Sequence, residues 1–310
     1  MTAIKRIGIL TSGGDAPGMN AAIRCVVIAA NHYHCEVVGF YHGFNGLLHN
    51  EHIKQAKQLS LEDIHNIIQR GGTILKSARC PEMLTAKGLI KAATTLTNEK
   101  IDALIVIGGD GSFKGLLDLQ AHWSGQIIGI PGTIDNDLDN TDFTIGFATA
   151  VNTAIDAIDK IRDTADAFEN FLIDDKQATL QKLADEINTA QHHHHGSYII
   201  VLAENIWPGG AVALAGELKH KANVDCTACV LGHIQRGGSP VPKDRLLATK
   251  MGVAAVQALI DGKHNIMIAE QNNGICHVAL EDAVKHQKTV SQQLVDAQQN
   301  ILALTAQNQY

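Results

Sequence analysis

The chain has 310 residues, 45% hydrophobic and 18% charged, with a formal net charge of −7 at neutral pH. That length suits one large or two ordinary domains with well-buried cores, and the acidic balance excludes the basic footprint of a protein that binds nucleic acid or a membrane surface. No apolar run reaches membrane-spanning length, and the polar start, residues 1–6, leads into a strand and not a signal peptide. Six scattered cysteines fit a reducing cytoplasm.

In chain order, residues 4–10 read as a buried parallel strand that breaks into Thr11-Ser12-Gly13-Gly14-Asp15-Ala16-Pro17-Gly18 before a helix over 20–31. Strand, glycine turn and helix start can cradle a phosphate, because glycines allow close approach and the helix start presents free N–H groups. A plain connection between strand and helix reads equally well. Gly13 and Gly18 have P-loop spacing, but Met19-Asn20 stands where that motif requires Lys-Ser/Thr, so the motif fails. A short strand over 36–39, a loop over 41–48 and a helix over 61–69 capped by Ser60 lead to Gly71-Gly72 and Ser77-Ala78-Arg79. Helix 86–98 precedes a buried strand over 103–107, a second glycine turn (Gly108-Gly109-Asp110-Gly111-Ser112) and a helix over 113–121.

The next strand, 127–130, delivers Pro131-Gly132-Thr133-Ile134-Asp135-Asn136-Asp137. Two acids two residues apart lie on one side of an extended chain, where their repulsion is tolerable only near a cation or a proton. A bare Asp-Asn-Asp is also common in exposed turns. Beyond it come a helix over 144–162, a strand over 171–173, a helix over 176–190 and a strand over 198–203 ending at Glu204. His192 to His195 form a solvated connector, with adventitious metal binding as the alternative. A helix over 209–222 precedes a strand over 226–231, on which Cys226 and Cys229 face opposite ways, an arrangement that argues against a redox or zinc role. Gln235-Arg236-Gly237-Gly238-Ser239-Pro240, a helix over 244–261, a strand over 266–269 and one or two helices complete the chain. The repeated units predict an α/β fold: doubly wound, mostly parallel sheets with helices on both faces, in two similar lobes.

The glycine turns, Arg79, the Asp-Asn-Asp and the Gln-Arg-Gly-Gly-Ser-Pro string together make the chain similar to bacterial ATP-dependent 6-phosphofructokinase, closely over residues 1–165 and again over 198–270. The resemblance implies that Gly14, Arg79, Cys80, Gly109, Asp110, Gly111 and Ser112 hold ATP and that Asp110 binds Mg²⁺. Asp135 would take the proton from the sugar 1-hydroxyl. Thr133, Ile134 and Asp137 would place substrate and the hydrated metal, and Arg79 would stabilise the transferred group. Glu204, Pro242, Lys243, Asp244 and Arg245 would contact fructose 6-phosphate, and Arg236 would reach a neighbouring subunit's substrate, which implies a homotetramer. Gly111 and Gly132 leave neutral, open positions where pyrophosphate-using relatives carry Asp and Lys, so ATP is the expected donor.

Two departures stand out. About 25 residues, the size of one strand plus one helix, are missing after Thr164, and with them a substrate-binding Arg and a Met-Gly-Arg turn. At the ADP effector site Arg24 and Arg162 match, but Ile28 replaces an Arg and His193 and His195 replace a Lys-rich loop, which weakens phosphate binding. The expected division is an ATP-binding lobe over 1–140, a sugar-phosphate lobe over 141–265 shortened near 165–170, and a segment 266–310 returning to the first lobe. A non-catalytic or severely impaired nucleotide-binding member of the family is the alternative.

Overall fold

The structure is a computed structural model and describes residues 4–48, 55–165, 167–173, 179–193, 197–291, 293–294 and 296–297. In chain order its elements are β1 (Arg6–Thr11), α1 (Met19–His32), β2 (Glu36–Phe40), β3 (Ala56–Leu59), α2 (Ala86–Asn98), β4 (Ala103–Gly108), α3 (Asp110–Gln120) and β5 (Gln126–Thr133). Then come β6 (Ile145–Gly146), α4 (Phe147–Ala165), β7 (Ala167–Ile173), α5 (Leu180–His193), β8 (Ser197–Leu202) and α6 (Gly210–Ala222). The last are α7 (Pro242–Ile260), β9 (Ile266–Gln271), β10 (Gly274–Ala279) and α8 (Leu280–Ala283). They fall into two compact units, one running up to Thr149 and resuming at Arg236, the other spanning Ala150–Gln235.

The first unit is built on a sheet of order β10-β9-β5-β4-β1-β2-β3, with β6 also paired to β5. All neighbours are parallel except the two edge pairs, β2 with β3 and β9 with β10. Alternation along the strands supplies both faces. Ile7, Ile9, Ile105, Ile107, Ile128 and Ile130 pack with α1 and α7, while Leu10, Leu104, Val106 and Ile127 pack with α2 and α3. The doubly wound reading holds here. Because β1 neighbours both β2 and β4, chain direction along the sheet reverses there, and the crevice at the carboxyl ends of β1 and β4 is the natural ligand position. In the second unit, β7 and β8 form a two-stranded parallel sheet, and Leu183, Ile187, Leu214 and Leu218 make the core between α5 and α6.

Several elements depart from expectation. Residues 61–69 form turns instead of a helix. Asp63 accepts the Ser60 amide (2.9 Å) and hydroxyl (3.0 Å), a helix-start arrangement, but Asn66 adopts φ 57°, and the helical ladder cannot continue through it. Residues 226–231 are not a strand but irregular backbone leading into a short 3₁₀ turn at Gly232–Arg236, and both cysteines are free. The opposite-face argument for that pair therefore loses its premise. The strand placed at 171–173 starts at Ala167. Past 270, where one or two helices are expected, the chain forms a hairpin strand, β10, and the single turn α8, and residues 284–291 are irregular backbone; residues 298–310 lie outside the described residues.

Candidate active site

Three strand ends meet in the first unit. After β1, the Ser12 amide donates to Ile107 O (3.0 Å), tying the end of β1 to that of β4. Gly18, at φ 111°, starts α1, and a Cβ there would meet Ile145 at 2.7 Å, so only glycine serves both conformation and packing. After β4, a Cβ on Gly108 would meet Ser112 Oγ at 2.5 Å and Ser12 O at 2.8 Å. That close approach lets α3 begin at once, with Asp110 in its first turn. Neither α1 nor α3 has a side-chain cap, so both present amide groups and a positive dipole end toward the crevice.

After β5, the Thr133 hydroxyl lies 3.3 Å from Asp135 Oδ2 and accepts the Asp135 amide at 3.2 Å, which orients the exposed Asp135 carboxylate. A Cβ on Gly109 would lie 3.3 Å from Thr133 Cβ, so the β4 and β5 turns abut. The acids feel one another as a result. Asp137 is exposed to solvent as a residue, yet partial desolvation of its carboxyl pushes it up, Asp135 and Asp110 push it further, and His286 opposes them. Asp110 pairs through Oδ2 with Lys114 Nζ (2.9 Å) and through Oδ1 with His286 Nε2 (3.1 Å). Ile134 is half-buried and packs on the core.

The Arg79 loop is joined to the β1 turn. Thr11 Oγ1 donates to Lys76 O (3.0 Å), and Asn45 Nδ2 donates to Arg79 O (3.2 Å). Asn20, buried at the start of α1, donates to Arg70 O (3.1 Å) and accepts the Ile74 amide (2.7 Å). Arg79 is exposed, and burial is the main cause that pushes the Cys80 thiol up. Asn20 and Asn45 were not singled out from sequence. A buried amide just inside a helix that follows a glycine turn was the available signal for Asn20; nothing local marks Asn45.

Other residues named from sequence are placed differently. The Arg236 guanidinium lies against Gly14 of its own chain, in the space a Cβ there would need. Both Asp244 oxygens are used inside the fold, by the Gly146 amide (3.0 Å) and the Thr149 amide (2.8 Å) and hydroxyl (2.5 Å). Asp244 is therefore a buried bracket between β6 and α4. Pro242 opens α7, Lys243 sits 2.9 Å above the Phe143 ring, and Arg245 Nε donates to Pro240 O at 2.7 Å. Gly111 is open, with nothing within 4 Å of a Cβ, whereas Gly132 is closed: a Cβ would meet Ile107 at 2.8 Å and Met19 at 3.2 Å. The reading of Gly132 as an open position is corrected; strand packing requires it. Glu204 is exposed after β8, and Arg162 lies 3.9 Å from Asp159, both in the second unit. Arg24 is half-buried on α1 and Ile28 is 38% exposed. The His193 side chain and His195 lie outside the described residues.

A switch-point crevice with two uncapped helix starts, and acids near enough to feel one another's charge, defines an α/β protein with the features of a phosphate-binding site. Comparison with known proteins narrows the class. The family described as Phosphofructokinase matches residues 6–173 and 169–259. The ATP-dependent 6-phosphofructokinase 1 of Thermus thermophilus is 42% identical over 327 residues, covering 97% of this chain and all of the relative. The ATP-dependent 6-phosphofructokinase of Clostridioides difficile is 44% identical over 311 residues, covering 92% and 95%. Pichia pastoris phosphofructokinase in the T-state aligns with a TM-score of 0.83 at 29% identity over 92% of this chain, which spans 38% of the Pichia chain. A pyrophosphate-dependent phosphofructokinase from Marinobacter aquaeolei, with a TM-score of 0.74 and 18% identity, shares the fold. The chain belongs to the phosphofructokinase family.

Proposed function

We propose that the chain is an ATP-dependent 6-phosphofructokinase, transferring the γ-phosphoryl group of ATP to the 1-hydroxyl of fructose 6-phosphate in cytoplasmic glycolysis. The observation that carries this reading is the gathering of Asp110, Asp135 and Asp137 at the abutting ends of β4 and β5, beside uncapped helix starts. Gly14, Arg79, Cys80 and the Gly109, Asp110, Gly111 and Ser112 turn hold ATP. Asp135, held by Thr133, takes the hydroxyl proton as the oxygen attacks, and Arg79 offsets the charge on the group in flight. Asp110 fits Mg²⁺ by its chemistry: it is a carboxylate in the first turn of α3 whose charge is felt by Asp137, and this ion is commonly bound by one or two carboxylates plus phosphate oxygens. When bound, Mg²⁺ supplies charge neutralisation between the phosphates.

The sugar side is Thr133, Ile134, Glu204, Arg236, Pro242, Lys243 and Arg245, with Asp244 acting indirectly through its bracket. For Arg236 to serve a neighbouring subunit's substrate in a homotetramer, its guanidinium must leave Gly14. The resemblance gives Arg24 and Arg162 each a role toward an ADP effector, a role weakened because Ile28 offers no charge. We further propose that one strand-helix unit is absent after Thr164. The start of β7 at Ala167, directly after α4 ends at Ala165, supports this. So does an alignment to the Thermus relative of 327 positions against 310 residues here. The same feature favours the second reading, a nucleotide-binding member with a crippled sugar site. A coupled assay of bisphosphate formation over a wide fructose 6-phosphate range decides: saturable turnover supports the kinase, and none at any concentration supports the second reading.

A further inference from the structure

The loop carrying Asp135 and Asp137 is held from a distant part of the chain. The Asp139 amide donates to Ala283 O (3.0 Å), and the buried Asp139 carboxylate accepts the Gln287 amide (2.9 and 3.0 Å). The Asp142 amide donates to Glu270 O (2.7 Å), and the Asn272 amide donates to Asp142 Oδ2 (2.7 Å). At the centre lies Asn136, between the two acids, at φ 52°. Its Oδ1 accepts the Thr144 amide (3.0 Å) and Lys288 Nζ (2.9 Å), and its Nδ2 donates to Asp142 O (3.2 Å). Lys288 Nζ also reaches Asp142 O at 3.4 Å.

We propose that Lys288 is a positioning residue for phosphoryl transfer, locking the Asn136 side chain and thereby the left-handed turn that presents Asp135 and Asp137 together. The inference rests on the phosphotransferase reading. Its physical basis is that a left-handed non-glycine residue is unfavourable unless its surroundings over-determine it, and here three bonds to one amide side chain do so. The choice of a lysine also follows. A cation among Asp137, Asp139 and Asp142 offsets the repulsion of a loop crowded with acids; burial pulls its ammonium down, and those carboxylates oppose the shift. Neutral donors would clamp Asn136 without supplying that charge. Lys285, three residues earlier, pairs instead with Asp282 and feels the loop mainly as the minor charge of Asp139, so it serves as a neighbouring control.

The test compares Lys288→Met, Lys288→Arg and Lys285→Met in the full chain, with steady-state kinetics, ATP titration and amide exchange at Thr144. Lys288→Met should lower kcat about 10–100-fold, the cost of a misplaced catalytic group, with the KM for ATP little changed. Thr144 exchange should accelerate in the same variant. Lys288→Arg should recover most of kcat and protection, and Lys285→Met should match wild type in both. Wild-type kcat or unchanged Thr144 protection in Lys288→Met overturns the proposal, as does equal loss in Lys285→Met. If the wild-type chain itself transfers no phosphoryl group, the kinase reading fails, and with it the claim about transfer. Exchange at Thr144 still decides separately whether Lys288 clamps the loop.

Discussion

At the scale of single residues, the acids of the β5 turn divide the work. Asp135 is exposed and steered by the Thr133 hydroxyl, as a base must be if it is to meet a substrate proton. Asp135→Ser should abolish nearly all turnover while leaving ATP binding intact, since the loss falls on the transition state; calorimetry alongside the coupled assay checks both halves. Asp137 should titrate above an ordinary aspartate, because partial desolvation and the charges of Asp135 and Asp110 favour its protonated form. Removing one like charge with Asp135→Asn should bring that titration down, which carboxyl NMR can follow. The linkage has a definite sign. With its folded pKa raised, ionised Asp137 weakens the fold as pH climbs from its unfolded value through the raised one. Asp244 belongs to stability: Asp244→Ala strands the Gly146 and Thr149 donors and should cost about 3 kcal/mol or more in denaturant unfolding.

At the scale of elements, the β-turn-α units of the first unit place glycine turns where two strands part, and β9, β10 and the stretch to Lys288 return to brace the loop that carries Asp135 and Asp137. In the second unit falls the proposed loss of a strand-helix unit, after α4. If a substrate Arg and a Met-Gly-Arg turn are missing with it, two charge-assisted contacts are lost, each worth about 1.5–3 kcal/mol. Fructose 6-phosphate affinity should then fall by about two to four powers of ten relative to full-length family members, provided the contacts are independent. Titration calorimetry with each ligand checks this: tight ATP binding with weak sugar-phosphate binding is the expected pair of results. Micromolar sugar-phosphate affinity would mean that other residues rebuild the pocket.

At the scale of the whole molecule, donor choice follows from chemistry more than from space. Nothing crowds Gly111, so Gly111→Asp should fold normally; its cost is a second negative charge beside Asp110, next to the ATP phosphates. ATP with Mg²⁺ should support transfer in the wild-type chain and pyrophosphate should not, while Gly111→Asp should raise the KM for ATP with little change in melting temperature. Comparable wild-type rates with pyrophosphate would defeat the argument from charge. Gly132 cannot be tested so cleanly, because Ile107 and Met19 fill the space a side chain would need.

What the sequence determined by itself is local: alternating apolar runs ending in glycine turns mark β1, β4 and β5 and their helices, and the literal motifs mark the family. Those features depend on period and turn chemistry within a few residues. The tertiary structure alone decided other things. It interrupted residues 61–69 at the left-handed Asn66, it closed Gly132 against Ile107 and Met19, and it committed Asp244 to an internal bracket. It also brought Lys288 to Asn136, residues 152 apart in the chain. No periodic pattern marks a contact between two loops so distant, since only the packed sheet fixes where they meet.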